Sequence, residues 1–558
     1  MKKRSIFLIA SISLMGVKGQ TLEWQKSFGG SNVEDFVKNI ESSDGNFVFT
    51  GSTLSNDGDI PTNNGLKDVF VTKIDNNGNY LWKKVFGGNN DDVPVTMVSS
   101  NDGGTILLSK SKSNSGNFNI NRGGDDLWVT KLDSSGNIVW NNSFSGSGNE
   151  SGAQIISIPN GYILTVNTNS NDFDFAHAGT TGKDVWVIRL DESGNVIWKK
   201  LLQGSLDEVS SNLKTVNSNE FLLLVNSASI DGDYSSNTAT NAYKGFIYRM
   251  DVNGNILLNS KIESTDIQQS NFINDIKALS DGYIIGGREN VPFTSGSTTY
   301  ENYDATFVKI STSGNLLWKK TFSSNGPQFD EALFTETTTD NANLFFGYSK
   351  YNLVVLDSWM MKIDNNGNII KKTSFENYDN LSDLKKIPSS GNFILSTRRM
   401  VIGSGGDFRH YVISLNSIGT NIVNSTLINT GQANPSSYFC LSNVTNEGKI
   451  FGFLTESPFN SNPNYNVLIS KLNIPQSFLS VTELNNSNVN VFVYPNPTSD
   501  YIKISEKMDL LVLYDLTGRV VITAKNADNI DVRSINSGNY ILQISNKKIN
   551  QSFKIIKK

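Results

Sequence analysis

The sequence of 558 residues is poor in the side chains from which crosslinks and many metal or catalytic centres are built. Its only cysteine is Cys440, and its only histidines are His177 and His410. A single cysteine excludes an intrachain disulfide and a cysteine-based zinc site. The histidines lie far apart and lack the H-E-x-x-H context of a zinc protease. We therefore interpret Cys440 as a small packing residue and both histidines as loop or packing residues.

The chain also lacks an excess of basic charge and a long apolar segment. It has 48 Lys and Arg residues against 53 Asp and Glu residues, which gives a formal net charge of −5. Without a basic stripe, nucleic acid is not an expected partner. Outside the N-terminal run, no segment is long and apolar enough to be a transmembrane helix.

The N-terminus has the pattern of a secretory signal peptide. Lys2, Lys3 and Arg4 precede an apolar run over residues 6–15, and the small residues Gly16 and Gly19 follow. This run is too short to be a stable membrane anchor. We expect residues 1–19 to be the signal peptide, removed during export.

What the chain has in abundance is a repeat. Seven copies of a strand–turn–strand motif are present, of which KIDNNGNYLWKK from Lys73 and KLDSSGNIVWNN from Lys131 are typical. The spacings between the turn glycines are 58, 58, 60, 60, 53 and 52 residues; these glycines are Gly78, Gly136, Gly194, Gly254, Gly314, Gly367 and Gly419. Two further short strands lie between successive copies. Four short strands repeated at this period favour a β-propeller, because each blade buries its apolar faces against its neighbours.

Two unpaired half-hairpins predict how the ring closes. Trp24 lies in a strand that has no preceding partner, and residues 465–473 (YNVLISKLN) form a partner strand that no Trp strand follows. Pairing the two makes an eighth hairpin and removes two open sheet edges. The sequence therefore predicts an all-β fold: an eight-bladed β-propeller over residues 20–473, with closure by the N- and C-terminal strands.

The pattern of Asp75, Gly78 and Trp82 resembles the tryptophan-docking repeat of quinoprotein dehydrogenases, which are eight-bladed propellers. The resemblance implies that five tryptophans pack between neighbouring blades: Trp24, Trp82, Trp140, Trp198 and Trp318. Leu258, Lys371 and Val423 depart from the pattern at the remaining copies. The resemblance concerns packing alone, because a single cysteine excludes the adjacent cysteines of the quinone site. No organic cofactor is expected.

The C-terminal part is a different domain, reached through a polar linker over residues 474–486. Four blocks of residues 487–558 are similar to the type A C-terminal sorting domain of the type IX secretion system of Bacteroidetes: VYPNPTSDYIKI, LYDLTGRVV, SGNYILQI and FKIIKK. The motif positions are Pro495, Asn496, Pro497, Gly518, Gly538 and Tyr540; Asn539 departs from the usual β-branched residue. The resemblance implies a small β-sandwich, the type IX machinery as a partner, and export to the cell surface or medium.

One face of the propeller is predicted to carry polar loops of similar sequence. SNDGDI from Ser55, SNDFDF from Ser170 and SIDGDY from Ser229 stand between the second and third strands of their units, and acidic residues such as Glu34, Asp92, Glu150 and Glu208 stand between units. We expect a ring of carboxylates on this face. Calcium prefers oxygen ligands. The candidate calcium ligands are Asp57, Asp59, Asp172, Asp174, Asp231 and Asp233. The alternative is that these residues make Asx-turns.

The sequence favours a non-enzymatic secreted or surface propeller that binds a glycan or protein, or serves as a scaffold, because near-equal loops suit repeated weak contacts. The alternative is a secreted polysaccharide hydrolase with carboxylates in the central funnel. The less regular later units, for example NVPFTSGSTTYENYD from Asn290, keep that alternative open.

Overall fold

The computed structural model describes residues 21–178, 182–239, 242–263, 268–295, 298–300, 302–323, 329–351, 354–376, 380–400, 408–419, 422–428, 432–433, 439–443, 449–457, 465–474, 493–494, 498–515, 519–546 and 550–558. The predicted signal peptide, residues 475–486 of the predicted linker, and Pro495, Asn496, Pro497 and Gly518 of the sorting motif lie outside them. The chain divides into two compact units, Met1–Lys386 with Phe393–Ile474, and Ile387–Asn392 with Pro475–Lys558. Each is described by itself.

The first unit begins with a strand, β1 (Thr21–Phe28), and continues with four antiparallel sheets of four consecutive strands. These sheets are β2 (Glu34–Glu41), β3 (Phe47–Thr53), β4 (Asp68–Ile74) and β5 (Tyr80–Phe86); β6 (Asp92–Ser99), β7 (Thr105–Ser111), β8 (Asp126–Leu132) and β9 (Ile138–Phe144); β10 (Glu150–Ile158), β11 (Gly161–Thr168), β12 (Asp184–Leu190) and β13 (Val196–Leu202); β14 (Glu208–Asn217), β15 (Glu220–Ser227), β16 (Lys244–Asp251) and β17 (Ile256–Ile262). Short 3-10 helices, Phe173–Phe175 and Gly232–Tyr234, lie in two of the loops.

The later strands follow the same order with irregularities. A short hairpin interrupts the fifth group, and one parallel pair, Tyr303 with Phe329, joins the fifth and sixth groups. The strands are β18 (Asn271–Leu279), β19 (Gly282–Asn290), β20 (Phe293–Ser295), β21 (Thr298–Tyr300), β22 (Tyr303–Ser311) and β23 (Leu316–Phe322); β24 (Phe329–Thr337), β25 (Asn343–Tyr351), β26 (Val354–Ile363) and β27 (Ile369–Glu376); β28 (Asn380–Lys386), β29 (Phe393–Met400), β30 (Phe408–Leu415) and β31 (Ile422–Leu427); β32 (Gln432–Ala433), β33 (Cys440–Leu441), β34 (Lys449–Ser457) and β35 (Asn466–Asn473).

The N-terminal strand closes the ring, as predicted. β1 pairs with β35 in antiparallel register from Thr21 opposite Asn473 to Phe28 opposite Val467. Phe28 is fully buried in a core to which the first sheet contributes Phe47 and Phe49 and the last contributes Phe451. The unit is thus a β-propeller in which first and last strands share one sheet. Eight blades remain our interpretation of the strand groups.

Burial explains why each group folds as a blade. The inner strands β3, β4 and β8 are buried along their whole length, because a neighbouring sheet covers each face. The outer strand β9 exposes Ile138 and Val139 at its start and buries Phe144 at its end. This gradient is typical of a propeller blade, whose apolar residues pack between adjacent sheets.

A repeated backbone hydrogen bond joins each early sheet to the next. The N–H of Asp92, the first residue of β6, donates to the carbonyl of Lys67 at 2.6 Å. Glu150 bonds Asp125 and Glu208 bonds Lys183 in the same way, at 2.8 and 2.7 Å. The bond from Glu34 to Tyr465, 2.7 Å, repeats it across the closure. This bond brings the first residue of one sheet beside the start of the third strand of the sheet before it.

The second unit is the predicted small β-sandwich. Its strands are β36 (Val493–Tyr494), β37 (Tyr501–Asp515), β38 (Val520–Asp531), β39 (Gly538–Ser545) and β40 (Asn550–Lys557). The long strand β37 pairs with β36, β38 and β39, and its register with β38 shifts between Lys503 and Met508. Leu511, Leu513 and Leu542 are fully buried in its core.

Candidate functional site

The acidic residues that begin the early sheets are buried, so these members of the predicted ring of carboxylates do not lie on the surface. Glu208 is fully buried; its Oε1 accepts hydrogen bonds from the hydroxyls of Ser227 (2.7 Å) and Ser229 (2.6 Å), and its Oε2 accepts one from the N–H of Gly204 (3.0 Å). Equivalent networks surround Glu34, Asp92 and Glu150. These acids hold the loops of their own sheet together, so they are not part of a binding surface.

A second buried acid, for which the repeat contains its own signal, faces Asp92, Glu150 and Glu208 from the preceding sheet. Asp68, the first residue of β4, lies near Asp92, and Asp126 of β8 lies near Glu150. Burial raises the pKa of Asp68 to about 6, and the neighbouring charge of Asp92 adds to the rise. Burial likewise raises the pKa of Glu150 and of Glu208 to about 7. The repeated strings DVFVTK, DLWVTK and DVWVIR contained the signal: each places an Asp at the start of a buried strand.

The structure places the six predicted calcium ligands in three separate loops. One oxygen of each carboxylate accepts a hydrogen bond from a backbone N–H of the preceding loop, for example Asp57 from Ser31 (2.7 Å) and Asp231 from Ser205 (2.8 Å); the others are Asp59, Asp172, Asp174 and Asp233. Within the described ranges, no group of three or more His, Cys, Asp or Glu residues is placed to hold a metal ion. The carboxylates brace the loops, and calcium binding stays an untested hypothesis.

The five predicted docking tryptophans contact the turn of the following hairpin where the structure describes it. The Nε1 of Trp82 donates to the carbonyl of Ser134 (3.0 Å), and its ring lies against Gly136. Trp140, Trp198 and Trp318 make the same pair of contacts with their own next turns, and Trp24 lies against Gly78. Leu258 takes the corresponding position against Gly314.

The two histidines and the cysteine pack against or hydrogen-bond to neighbouring residues of the fold. His177 contacts the Phe175 carbonyl (2.7 Å) and the Asp184 carboxylate (3.1 Å) through its two ring nitrogens. His410 is fully buried beside Phe439. Burial raises the pKa of the Cys440 thiol to about 12, which leaves it protonated and unreactive at neutral pH.

A cleft of about 490 Å³ lies between the second and third sheets, where β9 approaches β13. Asn119, Asn142 and Ser143 line it from the second sheet, and Asp174 and Lys199 line it from the third. Its walls are mainly polar, and it is of a size that holds a small ligand. Its residues come from two units of the repeat, so the sequence of a single unit contains no signal for the cleft.

No helix in the described part of the chain is long and apolar enough to cross a membrane.

Comparison with known proteins identifies the C-terminal domain. Residues 492–558 match the family model described as the secretion system C-terminal sorting domain. No curated protein sequence matches the chain. Similar solved structures include the WD40 domain of SCAP from fission yeast (9% identity, TM-score 0.41, 82% of this chain and 99% of that chain) and a protein of unknown function from Dyadobacter fermentans (10%, 0.35, 82% and 100%). Dihydro-heme d1 dehydrogenase NirN is another (11%, 0.39, 74% and 75%).

These structural similarities are weak, so the propeller assignment rests on the chain's own strand pairing. The family match confirms the predicted sorting domain, which implies interaction with the type IX machinery and export to the cell surface or the extracellular space. The chain is thus a β-propeller cargo of the type IX secretion system, with its sorting domain at residues 492–558.

Proposed function

We propose that the exported propeller is a non-enzymatic protein that binds a glycan or a protein through its loop face. The observation that carries this proposal is the bracing of the loops: carboxylates such as Asp57, Asp172 and Asp231 are engaged with backbone N–H groups. Asn56, Asn114 and Asn171 are exposed at equivalent positions of the first three loops, and Ile230 takes this position in the fourth. A rigid surface with repeated amides suits several weak polar contacts, because the loops lose little entropy on binding.

The alternative, a secreted polysaccharide hydrolase, needs two carboxyl groups that reach the glycosidic bond. The acid pairs at the junctions of the early sheets, such as Asp126 with Glu150, are fully buried and out of reach of a polymer. The hairpin β20–β21 breaks the repeat in the fifth group, and this asymmetry is the observation that favours the alternative.

We also propose how the protein is exported. We place a signal peptide at residues 1–19, the propeller at 20–473, a linker at 474–486 and the sorting domain at 487–558. On this scheme the signal peptide leads the chain across the inner membrane, and the sorting domain engages the type IX machinery at the outer membrane.

A glycan array with the full secreted protein, run with calcium and then with chelator, tests the proposal. Binding of one glycan class without release of new reducing ends is the expected result. Release of reducing ends from any bound polysaccharide would establish the hydrolase instead. Glycan binding that is lost with chelator would indicate that the loop carboxylates hold calcium.

A further inference from the structure

The junction between the second and third sheets departs from the repeat at one backbone position. The position is the fourth residue of the similar loops between the second and third strands of the first four sheets. In the first, second and fourth of these sheets it is a glycine, with φ of 66°, 68° and 57°: Gly58, Gly116 and Gly232. The third sheet has Phe173 there, with φ of 47°. The left-handed region is unfavourable for a bulky side chain, and the ring of Phe173 is 59% exposed. The chain therefore keeps a strained aromatic side chain in solvent at a site where glycine fits.

A cation near Phe173 alters the ion pairing of this loop. The guanidinium of Arg122, from the loop of the second sheet, lies over the Phe173 ring at 4.7 Å and binds the Asp174 carboxylate at 3.0 Å. In the first sheet the residue equivalent to Asp174 is Asp59, which forms an ion pair with Lys83 at 3.1 Å. In the third sheet the Asp174 carboxylate forms its ion pair with Arg122 instead.

Lys199, the equivalent of Lys83, is consequently left without a carboxylate partner. Its ammonium group donates to the backbone carbonyl of Asp174 at 2.7 Å, and among the described residues no carboxylate oxygen lies within ion-pair distance. Lys199 is half-buried, and burial lowers its pKa, an effect that the charge of Asp174 opposes. The Lys199 ammonium thus has a backbone acceptor, and it lies 5.8 Å from the centroid of the Phe144 ring, but it has no paired carboxylate in the described part of the chain. Its charge is therefore available to a negatively charged ligand.

The cleft beside Lys199 offers polar groups for the rest of such a ligand. Asn119 and Ser143 line it, and the described structure gives neither side chain a hydrogen-bond partner. Asn142 lines it as well and uses its amide nitrogen to bind the Gly194 carbonyl at 2.8 Å. Amide and hydroxyl groups both donate and accept, which matches the hydroxyls of a sugar. Lys199 and Asp174 are the charged residues among those that line the cleft. Arg122, which is not part of the lining, pairs with the Asp174 carboxylate at 3.0 Å, so the positive charge of Lys199 is left without a matching carboxylate among the described residues.

We infer that this junction binds an acidic saccharide: Lys199 binds the carboxylate, and Asn119, Asn142 and Ser143 bind hydroxyls in the cleft. Phe173 does not line the cleft but directly precedes Asp174 of its wall, and its exposed ring offers a stacking face for a sugar that extends out of the cleft. The inference rests on the proposed function, because it names the glycan class and the place at which one propeller junction binds it.

Titration calorimetry of the full secreted protein with trigalacturonate, and with galactotriose as the neutral probe, tests the inference. Trigalacturonate is expected to bind and galactotriose is not. Lys199→Gln should weaken binding about tenfold or more, since a charge-assisted hydrogen bond contributes about 1.5–3 kcal/mol. Lys199→Arg should restore most of the affinity. Lys83→Gln, the matched change at the paired lysine of the first sheet, should leave binding unchanged.

Phe173→Gly separates binding from folding. This change restores the glycine of the other loops, so the melting temperature should stay the same or rise while affinity falls. Equal binding of both sugars, or unchanged affinity in Lys199→Gln and Phe173→Gly, would overturn the inference. Competition by inorganic phosphate or acetate as effective as trigalacturonate would show an anion site without saccharide recognition, which also overturns it. Glycan-array binding that survives both changes would leave the proposed function standing and refute this site alone.

Discussion

The ring of Trp82 lies so close to Gly136 that a Cβ atom at position 136 would come within 2.8 Å of the indole. Gly136 also has φ of 78°, in the left-handed region that favours glycine. Glycine is thus required at position 136 for two reasons: the turn needs a left-handed backbone conformation, and the indole of the preceding sheet leaves no room for a Cβ atom. This contact links neighbouring blades through residues 54 positions apart in the sequence.

The first prediction separates the two demands on Gly136. Gly45 has φ of 75°, but a Cβ atom at position 45 would meet nothing within 4 Å, so Gly45→Ala should cost only the conformational penalty of about 1–2 kcal/mol. Gly136→Ala should cost that penalty plus about 1–3 kcal/mol for displacing Trp82. Thermal and denaturant unfolding of both variants measures the difference. Equal destabilisation would show that the indole contact contributes nothing.

The second prediction concerns ring closure. Phe28 is fully buried against Phe49 and Phe70, with ring centroids 5.1 and 5.0 Å apart. Phe28→Ala should destabilise the propeller by about 3–5 kcal/mol. Leu22, in the same strand, is 40% exposed, so Leu22→Ala should cost much less. Deleting residues 20–30 should exceed both effects; a truncated protein that melts with the parent would contradict the closure.

Much of the fold could be predicted because its signals are local. The Asp75 turn repeats within a dozen residues, and its carboxylate accepts the N–H groups of Asn77 and Asn79 in the structure. The closure followed from two half-hairpins, Trp24 and residues 465–473, that each needed a partner. Both features are encoded in the sequence of a single strand and its adjacent turn.

The state of the loop acids could not be predicted in the same way. Glu208 looks like a surface residue between units, but Ser227 and Ser229, about twenty residues later, enclose it. The cleft is lined by Asn119 and Ser143 of one sheet and by Lys199 of the next. Such contacts arise from the packing of one repeat on the next, which the sequence of a single repeat does not contain.

The third prediction concerns calcium. Asp231 and Asp233 already accept backbone N–H groups of Ser205 and Gln203, at 2.8 and 2.9 Å. We expect calorimetric scans with calcium and with chelator to give the same melting temperature. Stabilisation by about 2.7 kcal/mol at a hundredfold excess over the dissociation constant, reduced by Asp231→Asn with Asp233→Asn, would instead establish a calcium site.

The fourth prediction concerns export. Removing residues 487–558 should leave a folded propeller in the periplasm, because the sorting domain has a hydrophobic core of its own, which includes Leu511 and Leu542. Cell fractionation locates the protein, and its melting transition shows whether the propeller is folded. Normal amounts of the truncated protein in the medium would contradict the role of the sorting domain.

The fifth prediction is that the propeller loses stability as the pH rises from about 5 to about 8. Burial raises the pKa of Asp68 to about 6 and that of Glu150 and Glu208 to about 7. A carboxyl whose pKa is higher in the folded than in the unfolded state binds more protons when folded, so its contribution is complete at low pH and lost as the pH passes the folded pKa.

Glu208→Gln tests this dependence, because glutamine mimics the protonated acid and does not titrate. The fall in melting temperature between about pH 5 and about pH 8 should be smaller in this variant, since each unit of pKa shift corresponds to about 1.4 kcal/mol. The exposed Glu506 of the sorting domain provides the control: Glu506→Gln should retain the full pH dependence of the propeller transition. Comparing each variant with itself at two pH values removes any constant cost of the substitution. An unchanged slope in Glu208→Gln would show that Glu208 is ionised in the folded propeller, and that its hydrogen bonds from Ser227, Ser229 and Gly204 outweigh its burial.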